Sequence, residues 1–400
     1  MAGKRTVAVI GGGPAGLMAA ETAARGGAAV TVFDRMANPG RKFLLAGRGG
    51  LNLTHSEPLA AMLPRYGAAT EHLRPAIEAF PPEALRAWCE GLGQPTFVGT
   101  SGRVFPKSLK ASPLLRAWLG RLAELGVKFE RGMRWSGWGA GGGLAFAERA
   151  EPFHADAIVL ALGGGSWPRL GSDGGWVPLL AARDIEVAPL RAANCGVTIA
   201  WSELFGTRYA GEPLKRIALG VAGRSERGEA VVTAGGLEGG AVYELGPAIR
   251  QQLDAAQHCQ LTLDLRPDFS VDELAARLAR PRGKQSVSNH LRKAAGLPPV
   301  AIALLREGGA YLPGDVTALA AAIKAVPIHV TGLAPVARAI STAGGIAWDE
   351  LDLRFMLRKM PGLFAAGEML DWEAPTGGYL LQACFSTGVA AGNGALAYLE

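Results

Sequence analysis

The first part of the chain repeats a pattern of short apolar runs separated by a stretch of small residues. Thr6–Ile10 is apolar and β-branched, which is typical of a buried parallel strand. Residues 17–25 are rich in alanine and predict a helix that stops at two glycines. Residues 29–33 repeat the strand pattern and end at Asp34. The order predicts a β–α–β unit within a parallel sheet.

Glycines fill the turn between the first strand and the helix as G-x-G-x-x-G, at Gly11, Gly13 and Gly16. In a dinucleotide-binding unit the first glycine permits the tight turn and the second lets pyrophosphate approach the backbone. The third lets the helix pack against the strand, and the pyrophosphate meets the N–H groups of the helix N-terminus. Asp34 is placed to accept hydrogen bonds from ribose hydroxyls. The fingerprint predicts a dinucleotide and does not choose between NAD and FAD.

The middle of the chain changes its pattern twice. Residues 194–266 alternate apolar and polar positions over short runs, which favours strands. Residues 271–326 carry leucines at helical spacing, and residues 327–330 return to a strand pattern. A chain of 400 residues exceeds the usual size of a single core, about 250–300 residues, so we expect two or three domains.

Composition narrows the class of protein. Formal net charge is only +6, so charge does not favour a nucleic-acid partner. The four cysteines are far apart and the six histidines show no metal spacing, so we expect a reduced, cytoplasmic compartment and no metal. No apolar run reaches the about 18 residues that a membrane span needs.

Three later landmarks resemble the FAD superfamily that includes glutathione-reductase-like and amine-oxidase-like enzymes. They are a strand over residues 157–162 closing on a glycine, a strand ending at Gly367-Glu368, and an Ala/Gly-rich final helix after residues 376–382. The resemblance implies that Ala161 and Gly163 close the first half of the fold. It also implies that Gly367 and Glu368 reach the ribityl-pyrophosphate and that the last helix points its positive N-terminus at the flavin. The expected cofactor is therefore FAD.

A closer resemblance, to the bacterial BaiN-like flavoproteins, rests on motifs spread along most of the chain. These flavoproteins are NAD(P)/FAD-dependent oxidoreductases, in part aminoacetone-oxidase-like. The motifs are residues 40–45, 47–54, 102–107, 163–168, Ser341–Ile346, 367–371 and 377–382. Two stretches depart from the family. Gly50 and Leu51 replace an arginine and a cysteine, and residues 233–240 lack a histidine and a proline. The departures indicate a diverged subgroup, whose substrate should not be copied from other members.

The family implies an α/β fold: a Rossmann-like FAD-binding domain of glutathione-reductase type, an inserted β-rich domain and a small helical subdomain. The expected boundaries are 1–193 with 341–400 for the FAD domain, 194–266 with 327–340 for the β-rich domain, and 267–326 for the helices. The predicted cofactor-binding residues are Gly11, Gly13, Ala15, Gly16, Asp34, Arg35, Lys42, Asn52, Trp135, Ala161, Gly163, Gly367, Glu368, Gly378, Tyr379, Leu380 and Leu381.

Three residues are candidates for catalysis. Arg103 and Lys107 can hold an anionic or carbonyl group near the flavin, and Tyr379 can cap the flavin or donate a hydrogen bond. For each, a purely structural role is an equal alternative, and no general base stands out.

We expect an FAD-dependent oxidoreductase that acts on a small molecule by hydride transfer at flavin N5. The chain has no second complete fingerprint unit, so it lacks a separate nicotinamide domain. NAD(P)H must then visit the flavin directly, or O2 accepts the electrons. Two alternatives stay open: a flavoprotein that binds or modifies RNA through the basic stretch 277–293, and a flavin sensor without turnover. The sequence leaves the substrate and the oligomeric state open.

Overall fold

The computed structural model describes residues 5–47, 49–307 and 311–400. Arg48 of the glycine-rich loop and the first four residues of the predicted FAD domain lie outside them. The chain divides into two compact units, one of Met1–Arg191 with Ile340–Glu400 and one of Ala192–Ala339. We call them the flavin unit and the inserted unit. The further division of the insertion into two domains stays a prediction.

The strands, in chain order, are β1 (Thr6–Ile10), β2 (Ala29–Asp34), β3 (Thr54–His55), β4 (Thr96–Val98), β5 (Arg103–Pro106), β6 (Lys128–Arg131), β7 (Trp135–Trp138), β8 (Leu144–Phe146), β9 (Arg149–Phe153), β10 (Ala157–Leu160), β11 (Val187–Ala193), β12 (Val197–Ile199), β13 (Pro213–Val221), β14 (Arg224–Thr233), β15 (Gly236–Glu238), β16 (Cys259–Asp264), β17 (Val326–Leu333), β18 (Ser341–Ile346) and β19 (Leu363–Ala365).

The α-helices are α1 (Pro14–Arg25), α2 (Arg41–Ala46), α3 (Leu59–Met62), α4 (Thr70–Ala79), α5 (Pro82–Gly91), α6 (Ala111–Glu124), α7 (Val177–Ala181), α8 (Glu203–Tyr209), α9 (Gly240–Glu244), α10 (Gly246–Ala256), α11 (Val271–Leu278), α12 (Val287–Ala294), α13 (Pro299–Glu307), α14 (Val316–Lys324) and α15 (Tyr379–Leu399). Short 3-10 helices cover Leu63–Ala69, Ala140–Gly142, Pro168–Leu170, Val336–Arg338, Trp348–Glu350 and Gly367–Met369.

A parallel five-stranded sheet forms the centre of the flavin unit, in the order β19-β10-β1-β2-β6. Its central strand β1 is buried over Val7 to Ile10, as expected for a parallel strand covered on both faces. Helices α1 and α15 pack closely because small residues meet: a Cβ added at Gly388 would lie 2.4 Å from the carbonyl oxygen of Ala15. The middle of α15 is thereby fixed beside the start of α1.

The inserted unit is a closed barrel of strands in the order β12-β15-β14-β13-β16-β17. Its helices share one hydrophobic core with the strands: Leu261 and Leu263 of β16 belong to the same buried cluster as Leu274, Leu291 and Ile323. Together the two units confirm the predicted α/β fold class, with a Rossmann-like unit, a β-rich insertion and helical parts. No helix within the described ranges is long and apolar enough to cross a membrane.

Candidate cofactor and substrate site

A narrow cavity of about 180 Å³ lies at the carboxyl ends of β1, β2, β10 and β19. Ligands of open α/β sheets bind at this edge, where turns rather than side chains of the sheet form the surface. Its walls include Gly11, Gly13, Asp34, Ala161 and Gly367. The sheet therefore brings together residues from four distant stretches of sequence.

The three glycines of the fingerprint differ in why each must be glycine. Gly11 has a φ of +109°, and a Cβ there would lie 2.2 Å from the carbonyl oxygen of Ala161. A Cβ at Gly16 would lie 1.9 Å from the carbonyl oxygen of Gly11. Gly13 has a φ of −81°, and no described atom lies within 4 Å of its Cβ position. The fold itself thus needs the outer two glycines, whereas Gly13 keeps space free in the cavity wall, as a pyrophosphate requires.

Asp34, at the end of β2, holds the turn and keeps acceptor capacity. Its Oδ2 accepts from the N–H of Gly12 at 2.8 Å and its Oδ1 from the N–H of Met36 at 2.7 Å. Burial raises the pKa of Asp34, and these two hydrogen bonds oppose the rise. A carboxylate offers about four lone-pair sites, so acceptor positions remain for ribose hydroxyls. Beside it, the Arg35 guanidinium forms an ion pair with Asp173.

Two buried polar atoms of the narrow cavity lack a partner among the described residues. They are Oγ of Ser172 and Nε1 of Trp135, and both residues line the cavity. A buried polar group without a hydrogen bond costs about 1–3 kcal/mol, so native proteins seldom leave one unmatched. A nucleotide with oxygen and nitrogen acceptors would satisfy both. The residues present therefore fit the adenosine-diphosphate half of FAD.

A wide cavity of about 410 Å³ adjoins the narrow one. The residues that line both are Pro14, Lys42, Glu368 and Cys384. Lys42 Nζ lies 2.6 Å from Oε2 of Glu368 and donates to Oγ of Ser166 at 2.5 Å. Burial, with the Glu368 carboxylate nearby, raises the pKa of the Cys384 thiol to about 12. This thiol is therefore an uncharged part of the cavity wall. An ion pair thus marks the junction of the two cavities.

The N-terminus of α15 forms part of the wide cavity through Gly378, Leu380 and Leu381. Gly378 has a φ of +102°, and a Cβ there would lie 2.5 Å from the backbone of Thr54. The first turn of α15 carries no acidic residue, so the partial positive charge of its free N–H groups is uncompensated. Apolar walls with one positive helix end fit an isoalloxazine ring, whose pyrimidine part gains negative charge on reduction.

Arg103 is the predicted catalytic residue that lies at the wide cavity. It stands on β5, is exposed, and lines the cavity together with Asn52. The Asn52 amide donates to the carbonyl oxygens of Thr54 and Val104, which ties its loop to β5. The Arg103 side chain has no hydrogen bond or ion pair within the described part of the chain. Arg103 is therefore available to a ligand.

Lys107 and Tyr379 do not line either cavity. Lys107 is exposed beyond the end of β5. The Tyr379 hydroxyl donates to Oε1 of Glu57 at 2.6 Å, and its ring stacks on His55 with centroids 5.5 Å apart. Successive side chains of a helix point about 100° apart, so Tyr379 faces away from the cavity that Leu380 and Leu381 line. The expected roles, Lys107 at an anionic or carbonyl group near the flavin and Tyr379 at the flavin itself, therefore stay predictions.

Most predicted cofactor residues line a cavity. In the narrow one these are Gly11, Gly13, Ala15, Asp34, Arg35, Lys42, Trp135, Ala161, Gly163, Gly367 and Glu368. In the wide one they are Lys42, Asn52, Glu368, Gly378, Leu380 and Leu381. Gly16 and Tyr379 line neither. Their contacts with the cofactor stay predictions.

Sequence reasoning missed several cavity residues. The narrow cavity also has Met36, Ser172, Asp173 and Trp176 on its wall, and the wide one has Trp167 and Trp372. The glycine-flanked stretch 171–175, soon after the strand β10, was a signal for a second turn near the nucleotide. Trp167 lies inside the family motif 163–168, but it was not among the residues predicted for the site.

Comparisons with known proteins agree with this geometry. A family model described as the HI0933-like protein Rossmann domain matches residues 5–394. The chain is 25% identical to a 3-dehydro-bile acid delta(4,6)-reductase of Clostridium scindens, over 97% of this chain and 98% of that protein. It is also 25% identical to a ribosomal RNA dihydrouridine synthase of Escherichia coli, over 95% of each.

A solved structure shares the fold over nearly the whole chain. It is a 3-ketosteroid delta1-dehydrogenase from Sterolibacterium denitrificans, with a TM-score of 0.54 and 13% identity, covering 98% of this chain and 100% of that one. The family predicted from the motifs is confirmed by these matches.

Proposed function

The chain belongs to the HI0933-like Rossmann family, and we propose that this FAD-dependent oxidoreductase reduces a carbon–carbon double bond conjugated with a carbonyl group. The FAD cofactor and the oxidoreductase class agree with the sequence prediction. The names of two relatives support the finer statement, because both describe saturation of a ring double bond near a carbonyl group. The substrate that we propose first is a small organic molecule.

Arg103 is the observation that carries the proposal. It is a cation without a described partner on the wall of the wide cavity, whose lining is largely apolar. A guanidinium that donates to the carbonyl oxygen draws electron density from the conjugated double bond. The guanidinium then stabilises the negative charge that develops on this oxygen during reduction. Arg103 therefore acts on the substrate rather than on the fold.

FAD, once bound and reduced by NAD(P)H, would supply the hydride that the β-carbon needs, and solvent would supply the proton for the α-carbon. We propose that Asp34 holds the ribose and that the turn at Gly13 holds the pyrophosphate. Lys42 and Glu368 together keep the junction of the cavities close to neutral. The single fingerprint unit in the sequence supports direct access of NAD(P)H to the flavin. The cytoplasm stays the predicted compartment.

RNA is the second candidate substrate, because uracil also contains a double bond conjugated with a carbonyl group. Arg280, Arg282 and Lys284 in the inserted unit are exposed and have no acidic partner within the described ranges. Such cations are suited to phosphate contacts, and one relative is named for ribosomal RNA. Both candidates need the same reduction, so the reaction and the substrate can be tested separately.

The test uses purified, FAD-loaded protein with NADH or NADPH. The substrates are 2-cyclohexen-1-one, 4-androstene-3,17-dione, uridine and a ribosomal RNA transcript, and mass spectrometry of the products detects the gain of two hydrogens. We expect reduction of at least one small conjugated ketone, and a loss of about 100-fold in kcat/KM for Arg103→Ala. Arg103→Lys should recover part of the loss. Arg116→Ala removes an exposed arginine of α6 that lines neither cavity and should change nothing.

Both the proposed substrate and the proposed reaction can be contradicted by this test. If only the RNA transcript is reduced, the small-molecule substrate is rejected and RNA, the second candidate, is supported. Reduction of none of these compounds, with flavin that NAD(P)H reduces normally, would reject the conjugated double bond as the target.

A further inference from the structure

Trp167 differs from the other tryptophans in that its side chain has no hydrogen-bond or ring partner among the described residues. Six of the nine tryptophans donate their indole N–H to protein acceptors: Trp88, Trp118, Trp176, Trp201, Trp348 and Trp372. Trp135 and Trp138 pack edge to face, with ring centroids 5.0 Å apart. Among the described residues, Trp167 has neither a hydrogen bond nor a ring contact for its side chain.

The backbone of Trp167 is held in a costly conformation. Its φ of +61° and ψ of +60° lie in the left-handed region, where the Cβ of a bulky residue crowds the backbone. Such strain persists only where the surroundings enforce it, and it collects at functional sites.

Hydrogen bonds fix the chain on both sides of Trp167. Before it, the N–H of Gly165 donates to Oγ1 of Thr342 at 2.9 Å, and Oγ of Ser166 accepts from Lys42. After it, the N–H of Leu170 donates to the carbonyl oxygen of Trp167 at 2.8 Å. Hydrogen bonds on both sides therefore hold the backbone of Trp167 in its left-handed conformation, which sets the direction in which its side chain leaves the chain.

The half-buried Trp167 side chain lines the wide cavity, the same cavity that Arg103 lines. The cavity thus holds an aromatic ring and a cation that the protein itself leaves unmatched. An aromatic face binds flat π systems by stacking, and a guanidinium binds a carbonyl or oxyanion. Building on the proposed function, we infer that Trp167 is the stacking surface for a flat ring of the substrate, whose carbonyl group Arg103 holds. The substrate class is then a planar cyclic conjugated carbonyl compound.

The test compares a flat with a puckered ring of the same size, phenol against cyclohexanol, on FAD-loaded protein. Dissociation constants come from the change that each probe causes in the flavin absorption spectrum. We expect the native protein to bind phenol about tenfold more tightly than cyclohexanol. Trp167→Leu should abolish this preference and Trp167→Phe should keep most of it. Trp201→Phe in the inserted unit is the matched control and should leave the preference unchanged.

Two results would overturn the inference. One is a Trp167→Leu protein that still prefers phenol. The other is a Trp167→Leu protein that loses FAD or alters the flavin spectrum without a probe, since the indole would then pack on the cofactor. Reduction of 2-cyclohexen-1-one by the same native preparation separates this test from the proposed function. A lost preference in Trp167→Leu with no reduction by the native protein upholds the ring site and rejects the reaction.

Discussion

The Lys42 ammonium lies 2.6 Å from the Glu368 carboxylate, at the junction of the narrow and the wide cavity. The second oxygen of Glu368 accepts from the N–H of Thr342 at 3.0 Å, and Lys42 also donates to Ser166. Both side chains are mostly buried. A lone carboxylate at this place would repel a pyrophosphate, and the pair removes that repulsion. Lys42 and Glu368, which are far apart in the sequence, therefore form a pair without net charge where the two cavities meet.

The first prediction concerns this pair. Lys42→Met should weaken FAD binding more than Glu368→Gln, because it leaves a buried carboxylate unpaired near the phosphates. The double variant should be less impaired than the sum of the two, with a coupling of about 0.5–3 kcal/mol. Isothermal titration with FAD measures the affinity of the four apoproteins: the native protein, the two single variants and the double variant. If the two changes in the free energy of FAD binding simply add, the ion pair does not contribute to cofactor binding.

Gly13 provides the second prediction. Gly13→Leu should give a folded protein without flavin, because the new side chain enters open space that the pyrophosphate needs and strains no backbone. Gly120→Leu on α6 is the matched control: it also has a free Cβ position, but it lies away from both cavities, and it should stay yellow. Absorbance at the flavin band measures the flavin content, and far-ultraviolet circular dichroism measures folding. A Gly13→Leu protein that retains FAD would rule out the proposed pyrophosphate site.

Asp34 carries the third prediction. Asp34→Asn keeps one of the two acceptors that hold the turn and removes the charge that we propose holds the ribose, so FAD should bind about 1.5–3 kcal/mol more weakly. Titration of apoprotein with FAD gives the number, and Asp156→Asn serves as the control because that aspartate caps β1 through Thr6 without lining a cavity. Equal affinities for native and Asp34→Asn protein would place the ribose elsewhere.

The fourth prediction separates a structural from a catalytic role for Tyr379. Burial would raise the pKa of Glu57, but the hydrogen bond from Tyr379 and the nearby Arg65 lower it overall. A carboxyl with a lowered folded pKa contributes stability above its unfolded value, about 4.5, and loses it as the pH falls through the folded value. Tyr379→Phe should therefore destabilise the fold by about 1.5–3 kcal/mol at pH 7, and by less as the pH falls below 4.5.

Urea unfolding followed by the release of flavin fluorescence measures this loss at each pH. Turnover per bound FAD should stay within about twofold of native, and Tyr398→Phe at the exposed end of α15 should change neither property. A large fall in kcat for Tyr379→Phe, without a change in stability, would restore a catalytic role for this residue.

The sequence predicted the parts of the site that backbone geometry imposes. Gly11 and Gly16 are needed where backbone meets backbone, and Asp34 must follow a strand, so local patterns contain them. The sheet then brings Ala161, Gly163 and Gly367 to the same edge, which the landmark order anticipated. At each of these positions the backbone geometry allows or requires a particular residue type, so the sequence pattern reveals the position.

Side-chain direction and long-range pairing were beyond local patterns. Tyr379 and Leu380 are neighbours in the sequence, yet the helix points their side chains about 100° apart, and of the two only Leu380 lines the wide cavity. Lys42 and Glu368 were each predicted, but their ion pair depends on the packing of the whole unit. Trp167 lies in a motif shared with the family, but its place on the wall of the wide cavity was not predicted, and its left-handed backbone is one that this residue type rarely adopts.

The most direct test of the central claim is a single-turnover measurement without oxygen. One equivalent of NADPH or NADH first bleaches the bound flavin, and 2-cyclohexen-1-one is then mixed in while the absorbance of oxidised flavin is followed. We predict that the yellow colour returns at a rate that rises with ketone concentration, that cyclohexanone forms in equal amount, and that Arg103→Ala slows the return about 100-fold. Flavin that stays bleached with this and every other conjugated carbonyl compound, yet reoxidises on admission of air, would contradict the account.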